Sequence, residues 1–133
     1  MKYILLLGRF LFSSIFILKA FDHFNAKSIA HAASMGVPMP SLLVPVGSLL
    51  ILLGGLSILF GYKSRCGAWL LVIFLLPTTL MMHPFWKMEG GYAVMMETYC
   101  FLKNVSLLGA ALMITYFGSG PLSLCCCKKT NCK

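Results

Sequence analysis

Acidic side chains are scarce in this sequence, whose three carboxylates are Asp22, Glu89 and Glu97 among 133 residues. Charged residues of both signs make up 11% of the chain, whereas soluble domains carry about 25%. With 59% apolar residues, a globule of this length has too little interior to hide its apolar side chains from water. The scarcity of charge therefore excludes an ordinary water-soluble domain and predicts a surface that faces lipid.

A dense basic patch is also missing, although eleven Lys and Arg give the chain a formal net charge of +8. These residues lie singly or in pairs at the edges of apolar runs, where membrane topology places them. Nucleic-acid-binding surfaces instead cluster their basic residues on one face. We therefore expect no nucleic-acid partner.

Four apolar runs are long enough to cross a bilayer as helices. About 20 residues at about 1.5 Å each span the hydrocarbon, whereas the strands of membrane barrels are about ten residues of alternating polarity. The runs are residues 3–21, 41–62, 66–82 and 93–117. The sequence thus predicts an all-α membrane protein built as a four-transmembrane-helix bundle.

Loop charges predict the orientation of this bundle, because cytoplasmic loops carry an excess of Lys and Arg. Lys2, the 63–65 turn and the lysines of residues 128–133 fall on one side of four crossings, and the charges of the other side nearly cancel. Both termini are therefore expected in the cytoplasm. Residues 26–33 contain good helix formers before a Gly-Val-Pro stop, which predicts a short interfacial helix in the first outer loop.

Composition divides the chain into a transmembrane domain, residues 1–124, and a cytoplasmic tail rich in Cys and Lys, residues 125–133. Cytoplasmic thiols are normally reduced, so Cys66 and the tail cysteines are expected to be free, with Cys100 alone in the outer half. The tail is interpreted first as an unspecialised end. The alternatives are a soft-metal site, a redox thiol cluster and a palmitoylated anchor.

Polar residues inside the apolar runs carry most of the functional information, because a charge in hydrocarbon costs about 2.5 to 3.5 kcal/mol on insertion scales. Residues three and four apart share one face of a helix. One such stripe, expected to face the bundle from the first helix, consists of Arg9, Ser13, Phe16, Ala20 and His23. A second stripe, expected to pack against the first from the fourth helix, consists of Glu97, Cys100, Asn104, Ala111 and Thr115. For Arg9, snorkelling or pairing near the inner face is favoured over a functional role.

Antiparallel helices bring the ends of the first and third spans next to the start of the fourth. This arrangement predicts a polar site in the outer half of the bundle, with Lys19, His83, Glu97 and Asn104 as its members and His23 and Lys103 nearby. The alternative role of the same groups is packing through interhelical hydrogen bonds. The histidines lack a compact metal-ligand spacing, so no metal site is expected. No local motif of a catalytic nucleophile is present, and whether the protein is an enzyme stays open.

Short motifs in order along the chain resemble the DoxX family of small bacterial membrane proteins. They include Gly8-Arg9-Phe10, Met35-Gly36-Val37-Pro38, Gly61-Tyr62-Lys63-Ser64-Arg65, His83-Pro84-Phe85-Trp86 and Phe101-Leu102-Lys103-Asn104. With the 118–124 segment, these motifs extend over nearly the whole chain up to Leu124. The resemblance implies a four-helix integral protein of the bacterial plasma (inner) membrane.

Members of this family are associated with membrane redox systems, among them a thiosulfate-to-quinone electron-transfer enzyme and a thiol-stress complex. The resemblance therefore implies a membrane subunit of a redox or sulfur- and thiol-handling complex, with quinone as the candidate cofactor. In that role the polar site of Lys19, His83, Glu97 and Asn104 holds a quinone headgroup or a small anion. The alternative is a non-catalytic scaffold or assembly factor that binds a partner protein. The lipid bilayer and a membrane or redox protein are the expected partners, and homo-oligomerisation stays open.

Overall fold

A computed structural model describes residues 2–23 and 25–124, and every regular element within them is helical. The elements are α1 (Lys2–His23), α2 (Ala26–Ser34), α3 (Pro40–Phe60), α4 (Ser64–Met82), a 3₁₀ helix (Phe85–Lys87) and α5 (Tyr92–Phe117). Of these, α1, α3, α4 and α5 are long and apolar enough to cross a membrane. The predicted all-α four-helix bundle, with a short helix in the first loop, is confirmed. The predicted tail of residues 125–133 lies outside the described residues.

Proline and glycine set the boundaries of α3. Pro40 is its first residue. Proline has no backbone N–H, and at the start of a helix that N–H would form no hydrogen bond within the helix. Gly61 ends the helix with φ +70°, and a side chain there is excluded because its Cβ would collide with Arg9 and Ser123. The short connection that results makes α3 and α4 antiparallel neighbours.

Packing follows the order α1, α3, α4, α5, because α3 packs against both α1 and α4, and α4 also packs against α5. The core lies where α1, α3 and α4 meet, and it includes Phe16, Ala20, Ile51, Ile58, Leu71 and Leu75. The inward stripe predicted on α1 is confirmed, because four of its members are buried: Arg9, Ser13, Phe16 and Ala20. The three- and four-residue spacing of a helix therefore predicted the buried face of α1 correctly.

Glycines allow α3 and α4 to approach closely. A Cβ at Gly54 would lie 2.9 Å from the backbone oxygen of Gly67, and one at Gly47 would lie 2.7 Å from the ring of Phe74. The absence of a side chain at these two positions therefore lets α4 pack close to the backbone of α3. Gly109 of α5 has no such role, because no atom lies within 4 Å of its added Cβ. The reason is that α5 turns another face, which includes the buried Ala111, toward the bundle.

Arg9 holds the segment after α5 against the side of the bundle where α1 begins, which we call the terminal side. Its Nη1 donates to the carbonyl of Ser119 at 3.2 Å, and its Nη2 donates to the carbonyl of Leu122 at 2.6 Å. Arg65 donates from Nη2 to the carbonyl of Tyr116 at 3.2 Å. Arg9 thus pairs as predicted, and the partners in these two bonds are backbone oxygens.

Candidate functional site

A cavity of about 610 Å³ lies at the opposite end of the bundle, which we call the cavity side. All five α-helices contribute to its wall. Its ionisable side chains are Lys19, Asp22, His23, Lys27, His31, His83, Cys100 and Lys103. Ligand-binding cavities usually measure about 300–1,000 Å³, so the space is large enough for a small organic molecule.

Helices α1 and α5 do not pack along their lengths. The bundle places α3 and α4 between them, so the two polar stripes do not pack directly, and that expectation is wrong. Residues of both helices face the cavity instead, with Lys19 and His23 from α1 and Cys100 and Asn104 from α5. Helical period predicted which faces are polar, but it does not determine which helices become neighbours.

His83 and Glu97 form the closest polar contact of the cavity side. His83 follows the last residue of α4, and its Nδ1 lies 2.6 Å from Oε2 of Glu97 on α5. Their side chains are 20% and 23% exposed, so water competes little for this bond. Since the carboxylate engages Nδ1, the bond orients the ring and leaves Nε2 as the nitrogen that His83 can offer to the cavity.

An aromatic cluster supports the turn that carries His83. The Phe101 ring of α5 lies edge-on to Phe85 and Trp86, with ring centroids 5.2 and 6.0 Å apart. Phe85 and Trp86 also contact each other, at 5.2 Å. Edge-to-face pairs of this kind favour one mutual orientation of the rings. The cluster therefore holds the His83 turn against α5, close to Glu97.

Three of the four predicted site residues, Lys19, His83 and Asn104, lie on the cavity wall. Glu97 is not part of the wall and reaches the cavity through its bond to His83. The nearby residues His23 and Lys103 also face the cavity. The structure thus brings together the groups that the sequence placed in one half of the bundle. Ligand binding by them stays a prediction.

Sequence reasoning missed the contribution of α2, which places Lys27, Ser28 and His31 on the cavity wall. The buried Ala32 of this helix shows that α2 packs against the bundle. The available signal was the spacing of Lys27 and His31, which are four residues apart and therefore share one face of a helix. It indicates an amphipathic helix, but does not say over which part of the protein that helix lies.

Metal-ligand geometry is absent from residues 2–23 and 25–124, where no group of three His, Cys, Asp or Glu side chains is arranged to hold an ion. Cys66 is an exposed free thiol and Cys100 a half-buried one. The polar side chains of the cavity wall carry ammonium, imidazole, thiol, hydroxyl, carboxamide and carboxylate groups.

Four helices that are long and apolar enough to cross a membrane, around a cavity that ionisable and apolar side chains line together, define an integral membrane protein. The DoxX family model matches residues 4–84. Inner membrane protein YphA of Escherichia coli (strain K12) is 32% identical over 123 residues, which cover 91% of this chain and 87% of that protein. The chain belongs to the DoxX family, and the resemblance found in its sequence motifs is confirmed. No solved structure gives a significant match.

Proposed function

We propose that this DoxX-family protein is an inner-membrane subunit of a redox or sulfur- and thiol-handling complex, and that its cavity binds a quinone headgroup. The observation that supports this proposal is the His83–Glu97 pair, with its 2.6 Å contact, at the wall of a 610 Å³ cavity. Both termini lie in the cytoplasm under this proposal, since the Lys and Arg excess is on the terminal side. The cavity then opens in the half of the membrane away from the cytoplasm.

The residues of the cavity fit a quinone in their hydrogen-bonding capacity. Quinone carbonyl oxygens accept hydrogen bonds, and Lys19 and Asn104 on the wall provide ammonium and carboxamide N–H donors. Apolar side chains, among them Phe16, Ile51 and Leu107, form other parts of the wall and suit an apolar ring and tail. A bound quinone supplies the capacity to accept two electrons and two protons.

The His83–Glu97 pair gives the site a group that can hold a proton. When Nδ1 of His83 carries the hydrogen, the Glu97 carboxylate accepts it across the 2.6 Å contact. Nε2 of His83 then accepts a hydrogen bond from a ligand if the ring is neutral and donates one if the ring is protonated. Under this proposal, the electrons come from a partner oxidoreductase that acts on a sulfur compound or thiol.

Quinone difference spectra of the purified full-length protein test this proposal. We expect saturable binding of a short-tailed quinone, weakened at least about tenfold in Glu97→Gln, which corresponds to about 1.4 kcal/mol. Glu89→Gln is the matched control, because Glu89 is an exposed carboxylate in the loop before α5. Unchanged spectra on adding quinone to the wild-type protein, together with no co-purifying oxidoreductase, would contradict the proposal.

A scaffold or assembly factor is the second candidate, and the same contact supports it. The His83–Glu97 bond joins the end of α4 to α5, as packing contacts between membrane helices do. Under this alternative, Glu97→Gln fails to accumulate in the membrane while Glu89→Gln accumulates normally. A Glu97→Gln protein that inserts and assembles normally but loses electron transfer favours the quinone proposal instead.

A further inference from the structure

The cavity carries more positive than negative charge. Its wall has the lysines Lys19, Lys27 and Lys103 but a single carboxylate, Asp22. Among the described residues, none of these three lysines has a carboxylate oxygen within 4.0 Å, and the Glu97 carboxylate contacts His83. The chain itself therefore leaves positive charge on the wall that an anion can neutralise.

Lys103 is an exposed residue, and its position along α5 makes this excess of positive charge costly. It is the twelfth residue of α5, whose 26 residues run from Tyr92 to Phe117, so it sits near the middle of a membrane-spanning helix. An ammonium at that depth is unfavourable unless it meets a counter-charge or a polar cavity. Lys103 faces the cavity, so a ligand there can supply the counter-charge.

The rest of the wall indicates how such a ligand enters. Apolar residues dominate the wall, and four of them have exposed side chains: Leu43, Val46, Ile73 and Met81. Exposed apolar side chains on spanning helices face lipid. The cavity therefore communicates with the lipid-facing surface, and its ligand has an apolar part that passes these residues.

We propose that the cavity binds an amphiphile with one acidic head, a phosphate or a carboxylate, which the wall lysines hold while the apolar chain lies along the lipid-facing rim. Lys103 is the deepest of these lysines, and Lys19 and Lys27 approach from α1 and α2. This inference rests on the proposed function only in that both place a ligand in the same cavity. A quinone and the acidic amphiphile compete for the same space.

Native mass spectrometry of the full-length protein in mild detergent tests this inference with three probes: dioleoyl phosphatidylglycerol, dioleoyl phosphatidylcholine and inorganic phosphate. We expect the wild-type protein to retain one phosphatidylglycerol and to discriminate against phosphatidylcholine. Lys103→Gln is expected to weaken that binding at least about tenfold. Lys87→Gln is the control, since Lys87 is an exposed lysine of the 3₁₀ helix outside the cavity wall.

Two further variants keep the result interpretable if Lys103→Gln fails to fold. Lys103→Arg keeps the cation and is expected to keep the lipid, and Lys19→Gln changes an exposed residue of α1 and is expected to weaken binding. Equal retention of the two lipids overturns the inference, as does equal binding by Lys103→Gln and Lys87→Gln. Binding of inorganic phosphate without any preference for phosphatidylglycerol also overturns it, because the ligand is then a free anion.

A quinone titration on the same samples separates the two proposals. Lipid retention that depends on Lys103, without quinone binding, supports the acidic amphiphile and contradicts the quinone function. Quinone binding that depends on Glu97, without selective lipid retention, does the reverse. Displacement of phosphatidylglycerol by quinone supports both.

Discussion

Replacement of Arg9 by Met measures how strongly one buried cation holds the C-terminal segment. The Arg9 residue is 7% exposed, and it donates to the carbonyls of Ser119 and Leu122 at 3.2 and 2.6 Å. Hydrogen bonds of charged groups contribute about 1.5–3 kcal/mol each, so the pair contributes about 3–6 kcal/mol. Methionine removes these bonds but also the desolvation cost of the guanidinium. We therefore expect the free energy of unfolding to fall by about 2–4 kcal/mol.

Reversible unfolding of the purified protein in mixed micelles, followed by far-ultraviolet circular dichroism, provides the measurement. Arg65→Met is the matched control, because Arg65 is exposed and, among the described residues, makes one hydrogen bond, at 3.2 Å to the carbonyl of Tyr116. Its loss is expected to stay below about 1 kcal/mol. Arg9→Lys should fall between wild type and Arg9→Met, since an ammonium cannot form the two-pronged contact of a guanidinium.

Equal, small losses for Arg9→Met and Arg65→Met would refute this reasoning. The 118–124 segment would then be held by its apolar contacts, and the two bonds of Arg9 would be no stronger than a surface contact. A loss in Arg9→Met that Arg9→Lys fully repairs would mean that charge alone, without the two-pronged geometry, stabilises the segment.

Four other variants have definite expected outcomes. Gly54→Ala should lower the free energy of unfolding by about 1–3 kcal/mol, since its Cβ meets the backbone of α4. Gly109→Ala should be neutral or stabilising by up to about 1 kcal/mol, because its Cβ meets no atom within 4 Å; chemical denaturation measures both. Phe101→Leu should cost about 1–2 kcal/mol in the same assay, as it removes edge-to-face contacts with two rings. A protein with Cys66, an exposed thiol, as its single cysteine should resist an impermeant maleimide on intact cells and react after permeabilisation.

Each of these expectations has an outcome that contradicts it. A Gly54→Ala protein as stable as Gly109→Ala would mean that α3 and α4 do not approach closely. Full stability of Phe101→Leu would show that the rings add nothing beyond their apolar area. Labelling of Cys66 on intact cells would place the terminal side outside and reverse the proposed topology.

The bundle follows from the sequence because hydrocarbon leaves the backbone few choices. A span without water must satisfy its own N–H and C=O groups, so each long apolar run has to be a helix of about bilayer length. The predicted third and fourth spans, residues 66–82 and 93–117, begin within two residues of α4 and α5 and end where these helices end. The buried stripe of α1, from Arg9 to Ala20, follows in the same way from the helical period.

The candidate site was predictable only in part. Chain direction places Lys19, His83, Glu97 and Asn104 in the same half of the bundle whatever the helix order, so their proximity was foreseeable. The partners of Arg9 could not be predicted, since Ser119 lies 110 residues away along the chain. It accepts through its backbone oxygen, which every residue has, so no sequence pattern indicates it. Phe101 likewise gave no sign that it packs against Phe85 and Trp86.

The sequence by itself determined the number of spans, their polar faces and the side of the bundle on which each loop falls. Tertiary structure decided that α1 and α5 stay apart, that α2 contributes Lys27 and His31 to the wall, and that Gly109 faces outward. The physical reason is that composition and helical spacing determine the length and the polar face of each helix separately. The choice of neighbours depends on how all the helix surfaces fit together, and the cavity, whose wall all five α-helices share, is a product of that fit.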